Sequence, residues 1–134
     1  MCIRDRGNAL SLKAIEDEAV DVLMYYQILH HFSNEALLQV IETAYNKLDP
    51  NGYLVVLDTF NMEDHPWRKL AFNVIEPIYA MVSGRDKKAV NNYHNQPKDS
   101  FVAFMKACGF SLVQETGDRY PYVISEMCLF QKQK

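Results

Sequence analysis

Asp21–Asp58 reads DVLMYYQILHHFSNEALLQVIETAYNKLDPNGYLVVLD, and this stretch decides the fold. Val20–Tyr26 is a near-continuous apolar run broken by Asp21, which predicts a strand covered on both faces. A turn with two histidines follows. Ser33 suits an N-cap, and Glu35 in the first turn suits the positive end of a helix dipole. Ala36, Leu37, Val40, Ile41, Ala44, Tyr45 and Leu48 recur on one helical face. Pro50 and the Asn51-Gly52 pair are read as the stop and turn, and Tyr53–Leu57 as a second strand buried on both faces. Strand, helix and strand make one β-α-β unit of a parallel sheet, with a right-handed crossover expected.

Upstream, Gly7–Leu12 reads as a strand end or loop, and the acidic run Glu16–Glu18 as a solvated connection. Downstream, Asn61–Pro66 is polar. Trp67, Leu70, Ala71, Val74, Ile75, Ile78, Tyr79 and Val82 have helical spacing, interrupted by Pro77 and ended by Gly84. Arg85–Gln96 is polar and predicted irregular. Asp99 or Ser100 caps a short helix carrying Phe101, Phe104, Met105 and Cys108, and Gly109 suits its C′ position. Phe110–Glu115 and Val123–Phe130 read as two strands. The Gly117–Pro121 turn between them favours antiparallel pairing.

The chain has 134 residues, room for one domain. Its net charge of −3, with Lys87-Lys88 its main basic cluster, gives no surface for nucleic acid or anionic lipid. No apolar run is long enough to span a bilayer. Cys2, Cys108 and Cys128 are an odd number without metal-type spacing, which predicts no disulfide framework and a reducing, cytoplasmic setting. Met1–Arg6, MCIRDR, lacks the apolar core of a signal peptide and resembles a translated adapter. Residues 1–6 are therefore expected to be a non-native leader to a domain at 7–134.

Four local patterns together resemble the class I S-adenosylmethionine-dependent methyltransferases, in particular the type 11 small-molecule methyltransferases. They are GNAL at Gly7–Leu10, DVLMYYQILHHF at Asp21–Phe32, NKLDPNGYLVVLD at Asn46–Asp58 and MKACGF at Met105–Phe110. The resemblance implies an α/β, partial Rossmann-like methyltransferase fold. In it the chain supplies strands in the order 4-5-7-6, the last one antiparallel, with helices on both faces and the N-terminal strands missing. The family's glycine-rich cofactor loop is absent from the sequence, so the chain alone is expected to bind cofactor poorly and to be inactive. Residues 61–98 would form a substrate cap or lid.

The resemblance also implies roles. Asn8 and Ala9 would meet the adenine of S-adenosylmethionine, the side-chain oxygen of Asn8 replacing the usual acid as acceptor. Tyr25, Tyr26 and Gln27 would lie near the methionine end, where bulk replaces the usual small residues. Ligands in open α/β sheets bind beyond the carboxyl ends of the strands, which places both strand ends at the cleft. His30 is the candidate base, since imidazole titrates near neutrality. The alternative is a turn histidine that packs or caps the next helix. His31, Asp58, Trp67 and Tyr93 are candidate contacts to a small-molecule substrate, with Asp58 equally readable as a solvated strand-end acid. No metal is expected, because adjacent histidines diverge and no third ligand is suitably spaced.

A different class of function stays open: a non-catalytic α/β module that completes its sheet with a partner chain. The apolar Val20–Tyr26 strand would in either case invite self-association through an exposed edge. A nicotinamide-dependent enzyme is disfavoured, since no dinucleotide fingerprint is present.

Overall fold

Val20–Tyr26 forms strand β1, as its branched aliphatic and aromatic side chains favour on a pleated surface. The computed structural model describes residues 7–58, 60, 74, 78, 81–82, 98–116 and 126–133. After β1 come a 3-10 turn at Leu29–His31, helix α1 at Asn34–Lys47 and strand β2 at Leu48–Asp58. Helix α2 (Lys98–Ala107), strand β3 (Phe110–Glu115) and strand β4 (Glu126–Lys132) follow.

The sheet order is β1-β2-β4-β3. Strands β1 and β2 are parallel, and β4 is antiparallel to both β2 and β3. Strand β3 therefore runs the same way as β1 and β2, and the carboxyl ends of all three lie along one edge of the sheet. This is the expected 4-5-7-6 arrangement with its final strand inserted antiparallel.

The capping of α1 follows the sequence: Ser33 Oγ accepts from Ala36 N at 3.3 Å. Its end does not. Leu48 was expected on the helical face, but it is extended and already pairs with Val20. Asp49 precedes a proline and so disfavours helical geometry. The chain leaves the helix at Lys47, and Pro50 and Asn51-Gly52 sit inside a register shift between Val20 and Val22. A Cβ at Gly52 would lie 3.0 Å from the Asp49 carbonyl oxygen and 3.1 Å from that of Val20, so this shift needs glycine.

The core lies on one face of the sheet. Leu23, Leu54 and Phe130 are in register across β1, β2 and β4, as are Tyr25, Val56 and Cys128. Leu37, Val40, Ile41 and Ala44 of α1 and Phe101 and Met105 of α2 are buried in the same cluster. Ring contacts join the layers: Phe101 meets Phe130 edge-on at 6.0 Å, and Tyr45 meets Phe110 at 5.5 Å. Among the described residues both helices thus share one face, where the sequence reading put helices on both. On the opposite face Val22, Met24, Tyr26 and Tyr53 are exposed. The expectation that β1 is covered on both faces is corrected accordingly: a continuous apolar run carries no record of which face is covered.

Several expectations lie outside the described residues: the leader at 1–6, most of the cap at 61–98, Trp67 and Tyr93. Val74, Ile78, Met81 and Val82 are helical and exposed. No described helix is long and apolar enough to cross a membrane.

Candidate functional site

Strand β1 ends at Tyr26, and its last residues diverge. Tyr25 points into the core, 6% exposed, and its hydroxyl donates to the Val40 carbonyl at 3.4 Å. Burial pushes its phenol up to about 12. Tyr26 is on the open face at 66% exposure. Gln27 leaves the strand with φ +50, a left-handed conformation that is uncommon outside glycine. Its N–H donates to the Leu57 carbonyl at 2.8 Å, which carries the β1–β2 ladder to the strand end. The chain then turns sharply enough to bring Leu29 and His30 back over the end of β2.

Asp58 is the final residue of β2 and is fully buried. Its Oδ2 accepts from Leu29 N at 3.1 Å and from His30 N at 3.3 Å. Its Oδ1 lies 2.8 Å from His30 Nδ1. A carboxylate only accepts, so against it Nδ1 carries the ring proton and Nε2 carries the lone pair. Breaking a buried pair of this kind costs about 3–5 kcal/mol. The His31 ring lies 3.9 Å from that of His30, centroid to centroid. Buried Leu29 and Phe60 adjoin the pair in sequence, and Phe60 packs on Phe101 at 5.1 Å.

Asp58 was expected to orient substrate or to be solvated, and the structure instead gives it three donors from one turn. The expected base and the expected substrate acid are a single unit. Sequence reading found both residues but not their partnership, which spans 28 positions. The signal was an acid closing an otherwise apolar strand, VVLD, opposite a strand followed by histidine.

A second charged group at the same edge went unnoticed in the sequence. Lys98 Nζ lies 3.1 Å from Glu126 Oε2 and 3.2 Å from Glu115 Oε2. Burial alone lowers the Lys98 ammonium, but the two carboxylates outweigh it and the net displacement is upward. Glu126 is buried and stands directly opposite Asp58 in the β2–β4 register.

The Asn8–Ala9 turn lies elsewhere, tied to α1. Asn8 Oδ1 accepts from Leu10 N at 3.0 Å, and the Leu10 carbonyl accepts from Gln39 Nε2 and Thr43 Oγ1 at 3.2 and 3.1 Å. At the opposite, amino end of the sheet, Asp17, Glu18, Tyr45 and Lys132 line a shallow cavity of about 480 Å³. Lys132 is committed there, donating to the Leu48 carbonyl at 2.8 Å and lying 4.6 Å above the Tyr45 ring.

Solved structures of methyltransferases share this architecture. A SAM-dependent methyltransferase from Methanosarcina mazei matches 95% of this chain at a TM-score of 0.67 and 14% identity. The chain has a partial Rossmann-like methyltransferase fold. An O-methyltransferase family protein from Burkholderia thailandensis matches 97% of the chain at 0.65 and 20% identity. The 1,6-didemethyltoxoflavin-N1-methyltransferase of the same organism, solved with 1,6-didemethyltoxoflavin and S-adenosylhomocysteine, matches 96% at 0.65 and 12% identity. The chain spans 65%, 35% and 49% of the length of these three. No protein-family model matches the sequence, and no curated protein matches it.

Proposed function

We propose that the chain takes part in methyl transfer from S-adenosylmethionine to a hydroxyl group of a small organic molecule, with His30 as the general base. The observation that carries this reading is the buried His30–Asp58 pair at the carboxyl edge of the sheet. A hydroxyl nucleophile must lose its proton as the new C–O bond forms, and a positioned base contributes about 10²–10⁴-fold to such a step. Asp58 fixes the ring with its proton on Nδ1 and stabilises the imidazolium that forms when Nε2 accepts the substrate proton. The buried surroundings of the pair exclude water. S-adenosylmethionine, when bound, supplies a methyl group activated on a sulfonium, so the protein's part is alignment and proton removal.

The residues present fit part of that cofactor. Asn8 Oδ1 spends one lone pair on its own turn and has a second for the adenine amino group, with Ala9 beside it. Tyr26 and Gln27 would serve the methionine end, and Tyr25 would support them from the core side. His31, Trp67 and Tyr93 would contact the substrate. The type 11 resemblance and a cytoplasmic setting belong to the same reading.

The test has two stages. S-adenosylhomocysteine is titrated calorimetrically into this chain and into one extended upstream in the source reading frame. Binding to neither overturns the reading. In whichever form binds, transfer of a labelled methyl group to a panel of small phenols and hydroxy acids is measured. His30→Asn should lower the rate by about 10²–10⁴-fold, and Asp58→Asn should lower it by disturbing the tautomer. An unchanged rate in His30→Asn removes the base.

A second reading rests on a separate observation. Among the described residues β1 pairs with β2 alone and presents Val22, Met24 and Tyr26 on an open face. A non-catalytic module completing its sheet with a partner chain would use that edge.

A further inference from the structure

Asp58 and Glu126 are opposed on the antiparallel strands β2 and β4, and both are buried. Opposed residues in such a pair have Cβ atoms about 5 Å apart. Two carboxylates this close in a dry setting resist joint ionisation, and one takes up a proton unless a cation is at hand. The cation is Lys98, 3.1 Å from Glu126 Oε2. No aligned hydrogen bond reaches that oxygen, so charge pairing is its main compensation.

We propose that Lys98 is a positioning residue for the His30–Asp58 pair, acting by keeping Glu126 an anion. An ionised Glu126 accepts only and cannot compete for Asp58. A protonated Glu126 becomes a donor across the ladder. Its O–H would draw on the same Asp58 oxygens that hold Leu29 N, His30 N and His30 Nδ1. The ring would then lose its strongest acceptor, and the Nε2–H tautomer, which cannot accept a proton at Nε2, would gain population. The groups facing the pair are His31 from the turn, Tyr25 of β1, Glu126 of β4, Glu115 of β3 and Lys98 of α2. Lys98 is the cation among them. The inference builds on the reading of His30 as base, but its test reads a proton on the ring and not methyl transfer, so the two fail separately.

The experiment is ¹H–¹⁵N NMR of the 134-residue chain with ¹⁵N-labelled histidine, at a pH where imidazole is neutral. The parent should show His30 as the Nδ1–H tautomer with a strongly downfield ring proton. Lys98→Met should move that proton upfield and mix the tautomers, and Lys98→Arg should leave both unchanged. Lys98→Met with Glu126→Leu should restore the parent signature, because no carboxyl remains to donate. A merely structural loss would not be rescued by a second core substitution. Lys98→Gln keeps a polar contact to Glu115 and is read in the same way if Lys98→Met fails to fold. A parent-like His30 signature in Lys98→Met or Lys98→Gln, or no restoration in the double variant, overturns the proposal.

Discussion

Buried polar groups are where residue-level chemistry and folding meet in this chain. Tyr25 offers a clear case. Its phenol, desolvated against α1, is pushed from 10.0 up to about 12, so the folded state holds that proton more tightly than the unfolded state. The associated stability is complete below pH 10 and is lost as pH rises from 10 through about 12. Burial likewise raises the Cys128 thiol from 9.0 to about 11, with the same sign and an earlier onset. Far-UV circular dichroism during an alkaline titration should therefore show unfolding that steepens above pH 10. Tyr25→Phe should flatten the loss between pH 10 and 12, at the cost of about 1 kcal/mol at neutral pH for the Val40 hydrogen bond. A titration curve identical in the two proteins would show that Tyr25 is not the linked group. Residue types at the site were legible in the sequence: His30 stood in a turn and Asp58 at a strand end. Their pairing was not, since it depends on a left-handed Gln27 and on strand register, and neither leaves a mark in composition.

Elements were legible where one period dominated. Ser33, the 3.6-residue apolar repeat and the Gly109 stop all describe helices that the structure contains. The boundary at Leu48 was not legible, because a leucine fits the helical repeat and the strand equally well and only burial against Val20 and the proline at position 50 decides between them. Gly109 is an element-scale feature with a sharp consequence. Its φ of +89 turns the chain from α2 into β3, and a Cβ there would stand 2.7 Å from Tyr45 Cε2. Tyr45 cannot retreat cheaply: its hydroxyl donates to the Gln133 carbonyl at 2.7 Å, and its ring packs on Phe110. Gly109→Ala combines a left-handed penalty of about 1–2 kcal/mol with that clash. Urea unfolding should place the loss at about 2–4 kcal/mol, within the range for backbone strain plus core overpacking. Gly109→Ala with Tyr45→Phe, which releases the ring from Gln133, should recover part of it. A single-variant loss below 1 kcal/mol would mean that the junction adjusts freely.

At the scale of the molecule, the described helices and core occupy one side of a four-stranded sheet, and the other side keeps an apolar strip. Met24 and Tyr26 are 60% and 66% exposed, and Val22 and Tyr53 continue the strip. The sequence announced the strip as VLMYY but not its exposure, because residues on both faces of β1 are apolar and the alternation that normally separates core from solvent is erased. Edge strands that remain single usually carry a lysine, a proline or an inward charge. Strand β1 has Asp21 at its start and then five residues without charge. Pairing through this edge satisfies backbone groups and removes apolar surface in one step, whether the occupant is a second copy or another chain. The 134-residue chain should therefore self-associate at micromolar concentrations in sedimentation velocity runs. Met24→Lys should shift it toward monomer with a change in unfolding free energy of about 0.5 kcal/mol or less, since the side chain leaves no core contact behind. Tyr26→Lys should act in the same direction. A defined dimer dissolved by Met24→Lys would mark the edge as a specific interface, whereas polydisperse association would mark it as a sticky one. A monomer in the parent at every concentration would rule out self-association there and leave the strip, if it is used at all, to a partner of a different chain.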